Sequence, residues 1–319
     1  MAMATGGRSW AVLRDLGILL VFLAVVGVLM ALSPQAFAKP ANLINVVKQA
    51  SINGVLAVGM MLVIISGGID LSIGSIVALA GVIAASLAHP GEHSLALAVA
   101  APVAAGAVVG ALNGASVAYG GIPPFIVTLA SMTIVRGLAL IAAHGMPVFN
   151  VTKAFEALAG GFVANTVPYL VIYFAVVTAV GAFVLGKTVF GRRIYAVGGN
   201  EVAAAVSGID VHAVKIGVYT ISGALAGFAG LVLASRTISG NPTSGQAYEM
   251  DAIAAVIIGG VSMSGGVGKW YGTVIGALFI AVIGNGLDIL NVSSYYQLII
   301  KGLIIYFAVL FDIKGKRRG

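Results

Sequence analysis

The chain is a succession of long apolar runs separated by short polar segments. A helix rises about 1.5 Å per residue, so about 20 apolar residues are needed to cross a hydrocarbon core about 30 Å thick. The pattern predicts ten membrane-spanning helices, at about 16–33, 46–66, 69–88, 94–119, 123–143, 166–186, 213–234, 250–263, 270–290 and 295–312. The run 250–263 is short for a full crossing, so we expect it to be broken or re-entrant.

The composition indicates an all-α, multi-pass membrane protein. Apolar residues make up 60% of the chain and charged residues 8%, whereas an ordinary soluble domain carries about 25% charged residues. The absence of cysteine excludes a disulfide scaffold and a thiolate metal site, and the four histidines are too scattered to ligate a metal. Because the basic residues are spread between apolar runs, the net charge of +7 does not indicate nucleic-acid binding. We therefore expect contact with membrane lipid, but no metal and no nucleic acid.

The distribution of basic residues predicts the orientation. An even number of spans places both termini on one side of the membrane. If that side is cytoplasmic, the inner segments carry eleven lysines and arginines and the outer segments four, which fits the positive-inside rule. Residues 1–15 are then a cytoplasmic N-terminal segment, 16–312 a single transmembrane domain and 313–319 a basic cytoplasmic tail. The first run also resembles a secretory signal ending at Ala36-Phe37-Ala38, but it is long for a signal core, so we expect it to be retained as the first helix.

Residues 67–74, which read Gly-Gly-Ile-Asp-Leu-Ser-Ile-Gly, form what we call the first glycine turn. Its glycines let the backbone leave helical geometry, which persists at membrane depth only where the backbone is buried in protein or lines a cavity. A carboxylate costs about 2.5–3.5 kcal/mol at the centre of a membrane helix, so Asp70 is expected to face protein or water. The alternative interpretation is a short cytoplasmic hairpin with a solvated Asp70, and the two overlap if the turn lies at a cavity mouth.

Three motifs recur in the same order later in the chain, which predicts two related halves. The first glycine turn is echoed by residues 259–266, the second glycine turn, which reads Gly-Gly-Val-Ser-Met-Ser-Gly-Gly. Asn113-Gly114 is echoed by Asn285-Gly286, and Arg136-Gly137-Leu138 by Lys301-Gly302-Leu303. In transporters with repeated halves, glycine-interrupted segments at corresponding positions point to the transport pathway.

The residues proposed on this basis for the pathway or its gate are Gly67, Gly68, Asp70, Ser72, Asn113, Phe125, Thr128, Gly259, Gly260 and Asn285. Asn113, Thr128 and Asn285 have the alternative of a hydrogen bond between helices. Phe125 follows Pro123-Pro124, which is also typical of ordinary helix initiation. For Arg136 and Lys301 we favour snorkelling or pairing between helices over contact with a substrate.

The largest predicted cytoplasmic loop, residues 187–212, contains a short helix. Asn200 is a suitable N-cap, Glu201 favours a first turn, Val202–Val206 continues the helix and Gly208 ends it. An exposed helix between two spans is explained by docking on another protein, and the alternative is an interfacial helix with Arg192 and Arg193 at lipid phosphates. The residues predicted for docking are Arg192, Arg193, Asn200, Glu201, Ala204 and Gly208.

A nucleotide site is not predicted in this chain. Residues 265–269 read Gly-Gly-Val-Gly-Lys, but the phosphate-loop pattern also needs Gly at 263 and Ser or Thr at 270, where this chain has Met263 and Trp270. The polar segments are also too short to form an enzyme domain. If ATP drives this protein, a partner hydrolyses it.

Several motifs, in order, resemble those of ribose-type ABC sugar permeases, with similarity from about residue 12 to 312. They are Ala57-Val58-Gly59-Met60, Ser66 through Ser75, Pro124 through Leu129, Arg136-Gly137, Gly198 through Glu201, Ala203, Ala204, Ser207 through Ile209, Ser222 through Gly227, Arg236, Gly240-Asn241-Pro242 and Glu249 through Gly260. The second glycine turn lacks a carboxylate at the position matching Asp70, so the two turns are not equivalent.

The resemblance implies a membrane subunit of an importer in the bacterial cytoplasmic (inner) membrane that carries a monosaccharide. The family covers pentoses, hexoses and polyols and its motifs do not set which, and we expect a pentose such as ribose. It implies a second permease copy, an external sugar-binding protein and a cytoplasmic ATPase that holds ATP and Mg, with no cofactor in this chain. Residues 191–209 match the family's coupling helix. We expect Asp70 to be a structural or gating residue rather than a sugar ligand.

Two alternatives remain at this point. An ion-coupled secondary transporter would use Asp70 as its coupling carboxylate and need no ATPase. An ABC permease for another cargo, such as branched-chain amino acids or nucleosides, would keep the same architecture.

Overall fold

The computed structural model describes residues 6–316, with side chains described for residues 19–310. Residues 1–5 of the predicted N-terminal segment and 317–319 of the predicted tail lie outside this range. The elements are α1 (Gly6–Leu32), α2 (Pro34–Phe37), α3 (Pro40–Ile65), α4 (Ile73–Leu87), α5 (Leu95–Ala118), α6 (Pro124–Ala142), α7 (Lys153–Gly160), β1 (Phe162–Val163), β2 (Val167–Pro168), α8 (Tyr169–Lys187), α9 (Val189–Gly199), α10 (Glu201–Val206), α11 (Val211–Thr237), α12 (Tyr248–Ile258), α13 (Trp270–Ile289) and α14 (Ser294–Lys316). The two short strands pair antiparallel.

The all-α membrane class is confirmed. Within the described residues, six helices are long and apolar enough to cross a membrane: α3, α5, α6, α8, α11 and α13. Shorter apolar helical segments occupy Leu19–Leu32, Ile73–Leu87 and Ser294–Leu310. These nine segments coincide with nine of the ten predicted spans to within a few residues at most ends.

The remaining predicted span, 250–263, is broken. Its helix, α12, has 11 residues, which at about 1.5 Å per residue covers only about half of a hydrocarbon core. The preceding residues 238–247, which we call the re-entrant segment, are not helical, and Ile238, Gly245 and Ala247 adopt positive φ. The segment lies against the start of α4, because an added Cβ at Gly245 would collide with the carbonyl oxygen of Gly74.

Helix α3 is the centre of the fold. It is buried without interruption from Ala50 to Ile65 and packs against α8, α11, α12 and α13. On the other side, α11 crosses α5 at very short range, because added Cβ atoms at Gly223 and Gly227 would collide with the backbone carbonyls of Gly106 and Pro102. Small residues at such crossings let membrane helices approach closely, which accounts for much of the glycine content.

The order of helices agrees with two of the three echoes that predict related halves. Asn113 lies on α5, the second helix after the first glycine turn, whereas Asn285 lies on α13, the first helix after the second. Arg136 lies on the third such helix and Lys301 on the second. Counted from the glycine turns, the other two echoes are out of register. If α5 is set against α13 instead, these two echoes agree, because α6 and α14 are the next helices in each half, and only the glycine turns then fail to correspond. The duplication stays a prediction.

Candidate functional site

Asp70 is fully buried, so the interpretation as a solvated hairpin is wrong. Helix α3 ends at Ile65 with Ser66 as its C-cap, and Gly67 reverses the chain with φ of +87°. The carboxylate of Asp70 then accepts three hydrogen bonds from serine: from the backbone N–H of Ser72 at 3.1 Å, from the Ser72 hydroxyl at 2.6 Å and from the Ser222 hydroxyl on α11 at 2.9 Å. The residue that interrupts the apolar pattern thus joins the turn to a helix far away in sequence.

Two further bonds attach the first glycine turn to its neighbours. The amide of Asn113 on α5 donates to the Ser72 hydroxyl at 2.9 Å, and the Tyr219 hydroxyl on α11 donates to the carbonyl of Ile69 at 3.0 Å. A Cβ at Gly68 would lie 2.5 Å from that Tyr219 oxygen, so the hydroxyl reaches the turn only because residue 68 is glycine. The structure therefore brings Gly68, Asp70, Ser72 and Asn113 together.

Ser222 and Tyr219 complete this network, and sequence reasoning did not assign them a role. Ser222 belongs to the motif Ser222 through Gly227, and its hydroxyl lies in an apolar span. A hydroxyl in such a place is the usual sign of a hydrogen bond between membrane helices. Tyr219 is buried in the core and gave no comparable signal.

Phe125 and Thr128 lie at the start of α6. The Thr128 hydroxyl is buried and donates to the Pro124 carbonyl of its own helix at 2.9 Å. Phe125 is 53% exposed on the surface of this chain. The Thr128 hydroxyl therefore bonds its own helix. This differs from both earlier interpretations, which were a residue of the pathway and a hydrogen bond between helices.

Asn285 lies away from the other candidates. Its amide exchanges two hydrogen bonds, of 2.8 and 3.0 Å, with the amide of Asn42 at the start of α3. The first glycine turn follows the opposite end of α3, about 35 Å along that helix at about 1.5 Å per residue. Asn285 thus makes the predicted alternative contact, a bond between helices, and does not share a site with Asp70.

The second glycine turn lies against the end of α3. The backbone N–H of Gly266 donates to the carbonyl of Ile65 at 2.8 Å, two residues before the first turn begins. Gly260 has φ of +82°, and an added Cβ at Gly259 would collide with Gly272 on α13. The glycines thus fold α12 and α13 tightly together and place the two turns side by side.

Residues 189–208, which we call the coupling segment, contain two short helices, α9 and α10, of which only the second was predicted. The N-cap is confirmed: the backbone N–H of Ala203 donates to the Asn200 side chain at 2.9 Å. Gly208 adopts φ of +81° after the helix ends. Glu201 is half-exposed and pairs with Lys215 of α11 at 2.7 Å.

The outer surface of the coupling segment is basic on α9 and apolar on α10. Arg192 and Arg193 are exposed, and Val202 and Val206 are 74% and 85% exposed. The prediction that Ala204 docks on a partner is wrong. Ala204 is 4% exposed and packs inside this chain, because it faces the side of α10 opposite to Val202 and Val206.

Four charged side chains surround the start of α12. Arg136 donates to the carbonyls of Pro242 and Ser244, both at 2.8 Å, and fixes the re-entrant segment. Lys301 on α14 pairs with Asp251 at 2.9 Å. Glu249 and Asp251 are both buried, and sequence reasoning overlooked them although two carboxylates in an apolar span are a recognisable signal. For Arg136 and Lys301, the arrangement agrees with the predicted pairing inside the protein and not with snorkelling.

The described residues contain no group of three or more side chains suited to hold a metal ion. The geometry places two adjacent turns inside the helix bundle, next to a broken span. The coupling segment is exposed at the surface and lies against both turns.

Comparison with known proteins gives a consistent result. The family described as branched-chain amino acid transport system, permease component, matches residues 42–309. The ribose import permease protein RbsC of Escherichia coli (strain K12) is 44% identical over 96% of this chain and 95% of its own length. RbsC of Bacillus subtilis (strain 168) is 44% identical over 95% and 94%, and the L-arabinose ABC transporter permease protein AraH of Azospirillum brasilense is 40% identical over 98% and 91%.

No solved structure matches the chain. The family match covers most of the sequence, including both glycine turns and the coupling segment, and the relatives align over nearly their whole length. The chain therefore belongs to this family of ABC transport permeases, as a multi-pass cell-membrane protein of the ribose type.

Proposed function

We propose that this chain is the membrane-spanning subunit of a bacterial ABC importer that carries a monosaccharide, specifically a pentose such as ribose, across the cytoplasmic membrane. The observation that carries the proposal is the 44% identity to ribose import permeases over 96% of the chain. The arabinose permease among its relatives is also named for a pentose.

The proposed partners are a cytoplasmic ATPase that holds ATP and Mg, an external sugar-binding protein and a second copy of this chain. The failed phosphate-loop pattern at residues 263–270 supports a separate ATPase. The exposed valines of α10 support docking, because burying a valine is worth about 1.5–3 kcal/mol while leaving it in water gains nothing. Docking by Arg192, Arg193 and Glu201 belongs to the same proposal.

The proposed topology has ten crossings with both termini cytoplasmic. The re-entrant segment and α12 together count as one crossing, and α1, α4 and α14 are added to the six long helices. The excess of basic residues on the inner segments supports this orientation.

In the proposed mechanism, ATP binding and hydrolysis in the partner move the coupling segment and switch a pathway between outward and inward access. The sugar needs only a weak and transient site, because a strong site would slow its release. Asp70 acts as a structural residue that fixes the first glycine turn, since the hydrogen bonds that its carboxylate accepts come from serines of this chain.

The two alternatives have less support. An ion-coupled transporter would need Asp70 to exchange its ion with water, yet the side chain is fully buried. Branched-chain amino acids appear in the description of the family, so they remain a cargo to be tested against sugars.

The test is uptake of labelled ribose into vesicles that contain the permease, with the candidate ATPase and binding protein added or omitted. Uptake that requires ATP and all three components supports the proposal, and excess unlabelled ribose but not leucine should abolish it. Uptake driven by an imposed ion gradient without the ATPase would overturn the ABC mechanism. Binding-protein-dependent uptake of leucine in place of ribose would overturn the cargo.

A further inference from the structure

Three backbone segments meet at Gly198, near the end of α9. The carbonyl oxygen of Ile65, the last residue of α3, accepts the hydrogen bond from Gly266 of the second glycine turn. A Cβ added at Gly198 would collide with that oxygen and would lie 2.7 Å from the nitrogen of Gly266. A Cβ at Gly265 would lie 2.6 Å from the Gly198 oxygen. We call these four residues the glycine junction, where α9 packs backbone to backbone against two membrane segments.

Tyr195, about one turn earlier on α9, strengthens this contact. Its hydroxyl donates to the carbonyl of Gly268 at 2.8 Å, two residues before α13 begins. Burial raises the pKa of the Tyr195 phenol above its ordinary value, so the hydroxyl remains a hydrogen-bond donor at neutral pH. The second glycine turn is therefore held by α9 at two points.

The contact between the coupling segment and the first glycine turn is looser. A cavity of about 270 Å³ lies between them, lined by Gly67 and Gly68 on one side and by Asn200 and Glu201 on the other. A displacement of the coupling segment toward the first glycine turn is absorbed by this space, which Gly198 also lines. On its other side Gly198 packs directly on Ile65 and Gly266, and close-packed interiors transmit displacement. The two turns are thus coupled unequally to the cytoplasmic surface.

We propose that movement of the coupling segment reaches the membrane helices through the glycine junction and the Tyr195 hydroxyl, which makes Tyr195 and Gly198 positioning residues for transport. The proposal rests on the proposed function, because it takes an ATPase to be the source of the movement. Helices α12 and α13 move first, since the second glycine turn connects them and Gly259 packs directly on Gly272. The first glycine turn follows through the end of α3.

The experiment reconstitutes the full permease with the candidate ATPase and binding protein and uses labelled ribose as the probe. It measures co-purification of the ATPase, the rate of ATP hydrolysis and the ribose moved per ATP hydrolysed. Tyr195→Phe removes one hydroxyl and keeps the ring. We expect it to bind the ATPase and hydrolyse ATP as the wild type does, with ribose per ATP lower by about fivefold.

Adjacent glycines provide a matched pair. Gly198→Ala introduces a methyl group into the junction and is expected to abolish uptake, whereas an added Cβ at Gly199 meets nothing within 4 Å, so Gly199→Ala should behave as wild type. If Gly198→Ala does not fold, Tyr195→Phe still decides. An unchanged ratio of ribose to ATP in Tyr195→Phe overturns the proposal, and so does loss of ATPase co-purification, because Tyr195 would then be a docking residue.

Failure of the proposed cargo gives a different result. If the wild-type complex hydrolyses ATP but moves no ribose, the proposed cargo is wrong. The glycine junction can still be tested in that case, by measuring how strongly the binding protein stimulates ATP hydrolysis. In that case Tyr195→Phe is expected to lose most of the stimulation while keeping the basal rate. Full stimulation in Tyr195→Phe would overturn the proposal.

Discussion

The hydroxyl of Ser222 on α11 donates a hydrogen bond of 2.9 Å to the carboxylate of Asp70, a residue 152 positions earlier in the chain. Both side chains are buried in the helix bundle. The bond ties a non-helical turn to a helix that begins at the end of the coupling segment, so the turn cannot shift without breaking it or moving α11.

Replacing Asp70 with Asn is expected to destabilise the protein and reduce transport. The Asn amide keeps one acceptor oxygen, and the Ser222 hydroxyl must turn from donor to acceptor to pair with the new N–H2 group. The second N–H of that group is left without a partner, and an unsatisfied buried polar group costs about 1–3 kcal/mol. Thermal unfolding of the purified protein in detergent and uptake of labelled ribose measure the two effects.

Asp210→Asn is the matched control for this substitution. Asp210 is exposed and caps α11 by accepting from the backbone of Ala213, and Asn is an equally good N-cap. Its unfolding temperature and uptake should equal those of the wild type. Wild-type stability and uptake in Asp70→Asn would show that the network does not hold the turn.

Charge reversal at Glu201 is expected to weaken binding of the ATPase while the protein still inserts in the membrane. Glu201→Lys places a second cation beside Lys215 and changes the charge of the docking surface. Co-purification of a tagged ATPase measures binding, and membrane fractionation measures insertion. Glu92→Lys, also an exposed glutamate but on the proposed outer face, is the control; equal co-purification for both variants would contradict docking through Glu201.

The sequence predicted this site only where a residue breaks a simple pattern. Asp70 interrupts an apolar run, and the cost of a charge in lipid predicts that it faces protein or water. Asn200 precedes a short helix, and the preference of Asn for the N-cap predicts its bond to the backbone. Both residues were therefore identified from local rules. Ser222 and Tyr195 act across long sequence separations through single hydroxyls, which no local pattern encodes. The duplicated halves were inferred from short glycine-rich matches, and glycine also occurs in this chain where two backbones pack closely, so the match between the two glycine turns has a packing explanation as well as one by common descent.

The two exposed valines of α10 should contribute to docking without contributing to stability. Val202 and Val206 lie one turn apart on the same face, so a partner surface would cover both. The double variant Val202→Ser and Val206→Ser is expected to lower affinity for the ATPase by about tenfold or more, on the basis of the apolar area buried. Titration of the labelled ATPase against the permease in nanodiscs gives the affinity.

The stability of the same double variant is the control. Both side chains are already in water in the isolated chain, so its unfolding temperature should stay at the wild-type value. A fall in the unfolding temperature with unchanged affinity would mean that the valines pack within this chain or on lipid.

The pair formed by Asp251 and Lys301 predicts a non-additive effect. Removing one partner of a buried ion pair costs about 3–5 kcal/mol because the other charge is left uncompensated. Asp251→Asn and Lys301→Met should each destabilise the protein in thermal unfolding, whereas the double variant should be more stable than the Lys301→Met variant, in which Asp251 stays charged and unpaired. Strict additivity of the two effects would show that the pair is not formed, and α14 would then be held to α12 by apolar packing alone.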